Sequence, residues 1–208
     1  MVLENARGLA ERFLVPVAAR MPHVNPNTIS WAALIAAGLA AVCVLLGGTL
    51  LLVLAILLVL ASAYLDALDG RVAKMYQKAS PRGDFIDHVF DRYADLFLLL
   101  GVALSRYCSL LVGLFAIVGV LMTSYMGTQA QAVGQGRRYA GVLGRADRLV
   151  LLFLGILLQL LVSPAGAVVW GVGPVVFQPL EWIMVLFAVL GNATAIQRAI
   201  GIWRGFAR

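Results

Sequence analysis

The chain has 208 residues, of which 62% are apolar and only 12% charged, with a mean hydropathy of +0.94 and a net charge of +6. A soluble domain carries roughly 25% charged residues, so this composition excludes an ordinary water-soluble globule and points to an integral membrane protein. Two cysteines, Cys43 and Cys108, are too few for a disulfide framework or a zinc site. With no nucleic-acid-binding motif in the chain, the positive charge serves membrane topology and contacts with anionic lipid or phosphate.

In the first 22 residues, "MVLENARGLAERFLVPVAARMP", the apolar Leu3, Ala6, Ala10, Phe13, Leu14 and Val17 recur at helical spacing. Glu4, Arg7, Glu11 and Arg12 stand opposite them and interrupt any signal-peptide core, which predicts an amphipathic helix lying in the membrane interface. Apolar runs long enough to cross a bilayer, about 20 residues each, follow at 28–48, 51–76, 84–105, 108–133, 148–163 and 179–200. The fifth is the shortest, and the "SPAGAVVWGVGPVV" behind it carries Gly and Pro that break the helix or turn it back. No linker, repeat or low-complexity tract divides the chain. The expectation is one all-α integral membrane domain over 1–208, with an interfacial helix at 1–22 and a bundle of six transmembrane helices at 28–200.

Fourteen of the sixteen Lys and Arg residues, all but Arg92 and Arg106, cluster before the first span, around the connections of the second with the third and the fourth with the fifth, or at the end of the sixth and beyond. The positive-inside rule then puts both termini and those two loops on the cytoplasmic face of the plasma membrane. The opposite loops, near 49–50 and 164–178, carry no charge.

Against this background, residues 66–91 hold five aspartates. An ionised Asp at membrane depth costs roughly 2.5–3.5 kcal/mol, so something must compensate them. Asp66 and Asp69 are i, i+3 neighbours on the helix of the second span, and Asp87 and Asp91 are i, i+4 neighbours on the third. A short turn between antiparallel helices brings the four carboxylates together near the cytoplasmic boundary. Oxygen ligands without Cys or His suit a hard divalent cation, Mg²⁺ or Mn²⁺, and two such ions would offset the four charges. Two other readings stay open at this point: a surface loop salt-bridged by Arg71, Lys74 and Arg82, and a cation or proton transporter with intramembrane aspartates. A transporter needs a path to the far face, where the loops near 49–50 and 164–178 are uncharged. Asp84 and Asp95 extend the acidic stripe, with Asp95 in a structural hydrogen-bonding role and Arg92 its nearest charge in sequence. His23 and His88 are isolated and read as structural.

The pattern Asp66-x-x-Asp69-Gly70-x-x-Ala73-Lys74, eight residues, then Gly83-x-x-x-Asp87-x-x-x-Asp91 resembles the signature of the CDP-alcohol phosphotransferases, a six-helix membrane family. It departs at Lys74, where that family usually has arginine. "NPNTIS" before the first span is similar to a Pro-Asn-x-x-Thr segment common there, with Ser30 in place of threonine. The resemblance covers roughly residues 24 to 150. It implies an enzyme that binds a CDP-linked lipid, attacks its phosphate with an alcohol hydroxyl and releases CMP. Asp66, Asp69, Asp87 and Asp91 would ligate metal, and Asp91 would also be the general base. Asp66, Asp69, Gly70, Ala73, Lys74 and Gly83 would receive the CDP moiety, Lys74 as a point charge without the fork geometry of arginine. It further implies a homodimer, for which Gly101, Ala103, Gly113, Ala116 and Gly119 offer close helix approach.

The signature leaves the acceptor open. "GRRYAGVLGRADR" carries Arg137, Arg138, Arg145 and Arg148, and Arg145 with Arg148 are the candidates to hold the phosphate of a polyol phosphate beside the metal cavity. Inositol-phosphate-using relatives carry a basic run after a Ser-Tyr pair, where this chain has Gly127 and Gln129. "GRADR" still resembles a second phosphate-binding region of that branch, and "DHVFDRYAD" resembles archaeal members. Glycerol phosphate is slightly preferred over inositol phosphate, and an unphosphorylated alcohol such as serine is the alternative.

Overall fold

A computed structural model of the chain describes residues 11–136, 144–162, 170–172 and 175–206. Residues 11–18 are helical (α1); the first ten residues of the expected interfacial helix, and Arg137 and Arg138, lie outside the described residues. Each expected span has its helix: α2 (Pro26–Leu46), α3 (Thr49–Met75), α4 (Pro81–Ala103), α5 (Leu110–Ala132), α6 (Arg145–Val162) and α7 (Pro179–Gly205). Between α6 and α7 the Gly- and Pro-bearing segment forms a small antiparallel ladder, β1 (Trp170–Val172) with β2 (Val175–Phe177), that pairs Trp170 with Phe177. The otherwise helical fold carries this one short sheet among its described residues.

The helix starts are written into the sequence. Asn25 caps α2, its side chain accepting from the backbone N–H of Asn27 at 3.0 Å, and Pro26 opens the first turn. Ser80 and Pro81 repeat the device at α4, with Gly83 N–H donating to Ser80 Oγ at 3.1 Å. The turn from α2 to α3 uses Gly47 and Gly48 at φ 69° and 98°, a backbone that side chains oppose. Gly48 N–H donates to the Tyr107 hydroxyl at 3.0 Å and fixes that turn.

Alanines 33, 36, 37, 40 and 41 are buried on α2, and their small side chains let α3 and α4 both pack closely on it. α3 and α4 are held by this common partner rather than by extensive contact with one another. α5 packs chiefly on α7. A Cβ on Gly101 would lie 2.5 Å from the Ala41 carbonyl oxygen, one on Gly119 would lie 2.8 Å from the Asn192 nitrogen, and one on Gly113 would strike Ala103. The small residues read as a dimer seam are therefore used for close packing inside the chain, which corrects that basis for association.

Among the described residues, four helices, α2, α3, α5 and α7, are long and apolar enough to cross a membrane. Ile35, Leu39, Leu50, Leu57, Leu111 and Phe115 are among the large apolar side chains left exposed on α2, α3 and α5. Such a surface suits lipid, and the chain is a membrane protein. α4 and α6 fall outside that group because they hold the charges: Asp84, Asp87, Asp91, Arg92 and Asp95 on one, Arg145, Asp147 and Arg148 on the other.

Candidate active site

The site lies where the last three turns of α3 meet the first turns of α2 and α4. A cavity of about 420 Å³ opens there, lined by Pro26, Asn27 and Ser30 from α2, Asp66 to Lys74 of α3 in part, Lys78 to Asp87 in part, Arg145, and Glu11 and Leu14 of α1. All six residues assigned to the CDP moiety, Asp66, Asp69, Gly70, Ala73, Lys74 and Gly83, are in this lining. A Cβ added at Gly70 would meet nothing within 4 Å, so the missing side chain leaves open cavity. At Gly83 it would meet Ser80 Oγ at 3.4 Å and Asn27 Oδ1 at 3.7 Å, ordinary contact distances where the two helix starts adjoin.

Carboxylate oxygens of Asp66, Asp69 and Asp87 lie within 4.8 Å of one another. Asp69 is 6% exposed and accepts a hydrogen bond from Ser30 Oγ. That explains what the "NPNTIS" segment contributes: a hydroxyl at position 30, which serine supplies as well as threonine. Asp91 does not line the cavity. It is 7% exposed and is joined to the cluster in two ways, through Asp87 and His88, with which it forms a second group of ligand atoms within 4.8 Å, and through Arg145.

Arg145 occupies a position that sequence spacing did not indicate. It donates Nη1 to Asp66 Oδ2 at 2.8 Å and Nη2 to Asp66 Oδ1 at 3.1 Å, while Nη1 stands 2.6 Å from Asp91 Oδ1. It thus joins α3 to α4 from within the acidic group, rather than standing beside it. Arg148, one turn on, is 6% exposed and donates Nη2 to Asp95 Oδ2 at 2.7 Å. Asp95 has the structural role expected of it, but Arg148 of α6, not the adjacent Arg92, is its hydrogen-bonded partner. Arg92 donates to Ser124 Oγ, and Arg198 Nη1 donates to the Thr123 carbonyl at 2.6 Å, so cations from α4, α6 and α7 collect on the inner side of the carboxylates. Arg92 and Arg198 were legible only as charges on helices; their faces depend on how α5 and α7 pack.

The donor set fits a divalent cation. The ligand atoms are all hard oxygens on three closely spaced carboxylates. Asp91 Oδ1 is already met by the Arg145 guanidinium at 2.6 Å, so the fit to a cation rests on the three clustered carboxylates.

The family described as CDP-alcohol phosphatidyltransferase matches residues 23–197. The archaetidylinositol phosphate synthase of Methanothermobacter thermautotrophicus is 28% identical, over 98% of this chain and 95% of that protein. The phosphatidylinositol phosphate synthase of Cutibacterium acnes is 27% identical, over 98% of both. Among solved structures, the phosphatidylinositol phosphate synthase of Mycobacterium tuberculosis with CDP-DAG bound superposes with a TM-score of 0.74 at 23% identity, over 92% of this chain and 94% of that one. The same mycobacterial protein has been solved in complex with manganese and citrate, again with a TM-score of 0.74 at 23% identity, over 90% of this chain and 88% of that one.

Proposed function

The chain belongs to the CDP-alcohol phosphatidyltransferase family, and from that premise we propose that it joins a CDP-linked lipid to inositol phosphate and releases CMP. The observation that carries the reading is that the signature residues other than Asp91 all line one cavity, with the carboxylates of Asp66, Asp69 and Asp87 clustered there and Lys74 exposed at the wall. The N-termini of α2 and α4 flank the same cavity, and their positive dipole ends favour a diphosphate there.

Asp66, Asp69 and Asp87, with Asp91 completing the set, would hold divalent metal, two ions of Mg²⁺ or Mn²⁺. Bound metal supplies neutralisation of the charge that develops on the reacting phosphate. Gly70, Ala73 and Gly83 leave room for the nucleotide, and Lys74 meets its phosphates. Asp91 accepts the proton of the acceptor hydroxyl. The hydroxyl oxygen then bonds to the lipid-side phosphorus, the bond from that phosphorus to the oxygen bridging to CMP breaks, and CMP leaves with that oxygen.

Arg145 and Arg148 would serve the acceptor's phosphate, with Arg92 and Arg198 adding positive potential behind them. Both similar enzymes that span the whole chain act in inositol phosphate chemistry by name, and this favours inositol phosphate over glycerol phosphate, the reverse of the preference taken from Gly127 and Gln129. The topology that goes with this reading has α2 to α7 as six membrane-spanning helices of a single domain. α1 lies in the interface, and the site and both termini face the cytoplasm. The homodimer rests on the family resemblance alone. CMP release from a CDP-linked lipid, with Mg²⁺ or Mn²⁺ and each of inositol phosphate, glycerol phosphate and serine in turn, tests the proposal. Release that needs both metal and inositol phosphate supports it, and release with serine alone refutes the acceptor.

A further inference from the structure

α1 forms part of the cavity wall through Glu11 and Leu14, yet nothing in the signature holds it there. Its inner face buries Leu14 and Ala18 against Ile29, Leu68 and Val72, a patch separate from the main core. Four side chains of α3 and of the turn that ends it fasten the rest. Tyr64 Oη donates to the Phe13 carbonyl at 3.3 Å, and Arg71 pairs with Glu11 at 3.6 Å. Tyr76 Oη donates to the Ala19 carbonyl at 2.9 Å, within reach of Ala18 O as well. Lys78 Nζ donates to the carbonyls of Pro22 at 2.7 Å and Val24 at 2.9 Å.

The last two contacts depend on how α3 stops. Lys78 N–H returns to the Ala73 carbonyl at 2.8 Å and Gln77 N–H to the Lys74 carbonyl, the paired bonds of a Schellman turn. That turn needs a left-handed residue, and Gln77 takes φ 52° without being glycine. The chain therefore accepts a disfavoured backbone at the point that throws Lys78 back over the end of α1. The Ala19 carbonyl that Tyr76 engages lies at the C-terminal end of α1, where helical partners run out, and the Pro22 and Val24 carbonyls that Lys78 engages lie in the segment that leads from α1 to α2.

We propose that Tyr76 and Lys78 are positioning residues for the lipid donor: together they latch α1 into the wall of the cavity, and so set the affinity for the CDP-linked lipid without entering the chemical step. The proposal rests on the transferase reading for its substrate, and on the contacts above for the latch itself. Lys78 also lines the cavity, whereas Tyr76 does not, and this difference makes the test decisive.

Two readouts are needed. The first is the rate at which a water-soluble maleimide labels a Leu14→Cys protein in which Cys43 and Cys108 are replaced by alanine. Added Tyr76→Phe or Lys78→Met should speed labelling about tenfold, and Lys78→Arg should restore the slow rate. The second is steady-state CMP release by the single variants with their cysteines intact. KM for the CDP-linked lipid should rise about fivefold in Tyr76→Phe and about tenfold in Lys78→Met, the sizes expected for losing a neutral and a charge-assisted hydrogen bond. kcat should stay within twofold of wild type. Unchanged labelling in both variants overturns the latch. A raised KM in Lys78→Met alone, with Tyr76→Phe like wild type in both readouts, also overturns it and makes Lys78 a direct phosphate contact. Faster labelling with no change in KM overturns the claim that α1 positions the donor. A wild-type protein that releases no CMP sinks the transferase reading instead, and the labelling arm still decides the latch.

Discussion

Replacing Arg148 by alanine removes one half of an ion pair whose nitrogen and oxygen stand 2.7 Å apart, with side chains 7% and 5% exposed. At that burial the carboxylate of Asp95 loses its hydrogen-bonded cation and gains little water. Removing one partner of such a pair typically costs about 3–5 kcal/mol. Arg92 also acts on Asp95, which places the expected cost near the lower end, about 3 kcal/mol. For a chain of this size each kcal/mol moves the melting temperature by about 2–4 °C, so Arg148→Ala should melt about 6–12 °C below wild type. Tryptophan fluorescence during heating in detergent measures it. The double variant Asp95→Leu, Arg148→Met replaces the pair by apolar groups of similar reach and should recover most of the loss. A single variant within 2 °C of wild type, or a double variant as unstable as the single, would refute the reasoning. The recovered double variant also isolates the functional part of Arg148, since any rise in acceptor KM that survives in a stable protein belongs to acceptor binding.

Three further predictions follow from the same contacts. Gly101→Ala forces a methyl group onto the Ala41 backbone and should cost about 1–3 kcal/mol of stability, whereas Gly70→Ala, which meets nothing, should melt like wild type while raising the KM for the CDP-linked lipid; thermal melts and donor kinetics on both variants check this. Asp66→Asn and Asp87→Asn should each abolish transfer and weaken Mn²⁺ binding, measured by calorimetry, in a protein that still folds in detergent; full activity in either removes that residue from the metal set. Asp91→Asn should lower turnover by about 10²–10⁴-fold with a smaller effect on donor binding, and equal loss of both would make Asp91 a ligand only.

Much of this molecule can be read from the chain because its signals are local. Apolar runs give six helices, Asn25-Pro26 and Ser80-Pro81 start two of them, and four aspartates at helical spacing on α3 and α4 announce the acidic site. What could not be read depends on which face a distant helix presents. Arg145 reaches Asp66 across 79 positions of sequence, and its place inside the carboxylate group, rather than beside it, is decided by the rotation of α6 against α3. The partner of Asp95 depends on the same rotation, since Arg92 is the nearest charge in sequence but Arg148 is the one hydrogen-bonded to it. Glycines 101, 113 and 119 carry no sign of whether their close contact lies within the chain or between copies. α1 reads as an amphipathic helix from its periodicity, but its part in the cavity wall comes from carbonyl contacts with Tyr76 and Lys78 that no side-chain pattern encodes.

The central claim is that an acceptor hydroxyl attacks the lipid-side phosphorus of a CDP-linked lipid in the cavity between α2, α3 and α4. Inositol phosphate labelled with ¹⁸O at its free hydroxyls tests this most directly, with the products weighed by mass spectrometry after reaction in the presence of Mn²⁺. The account predicts a lipid product containing the whole inositol phosphate with its label retained, unlabelled CMP in equal amount, and neither product from Asp91→Asn on the same time scale. Label in the CMP, or CMP released with no labelled lipid, would contradict it.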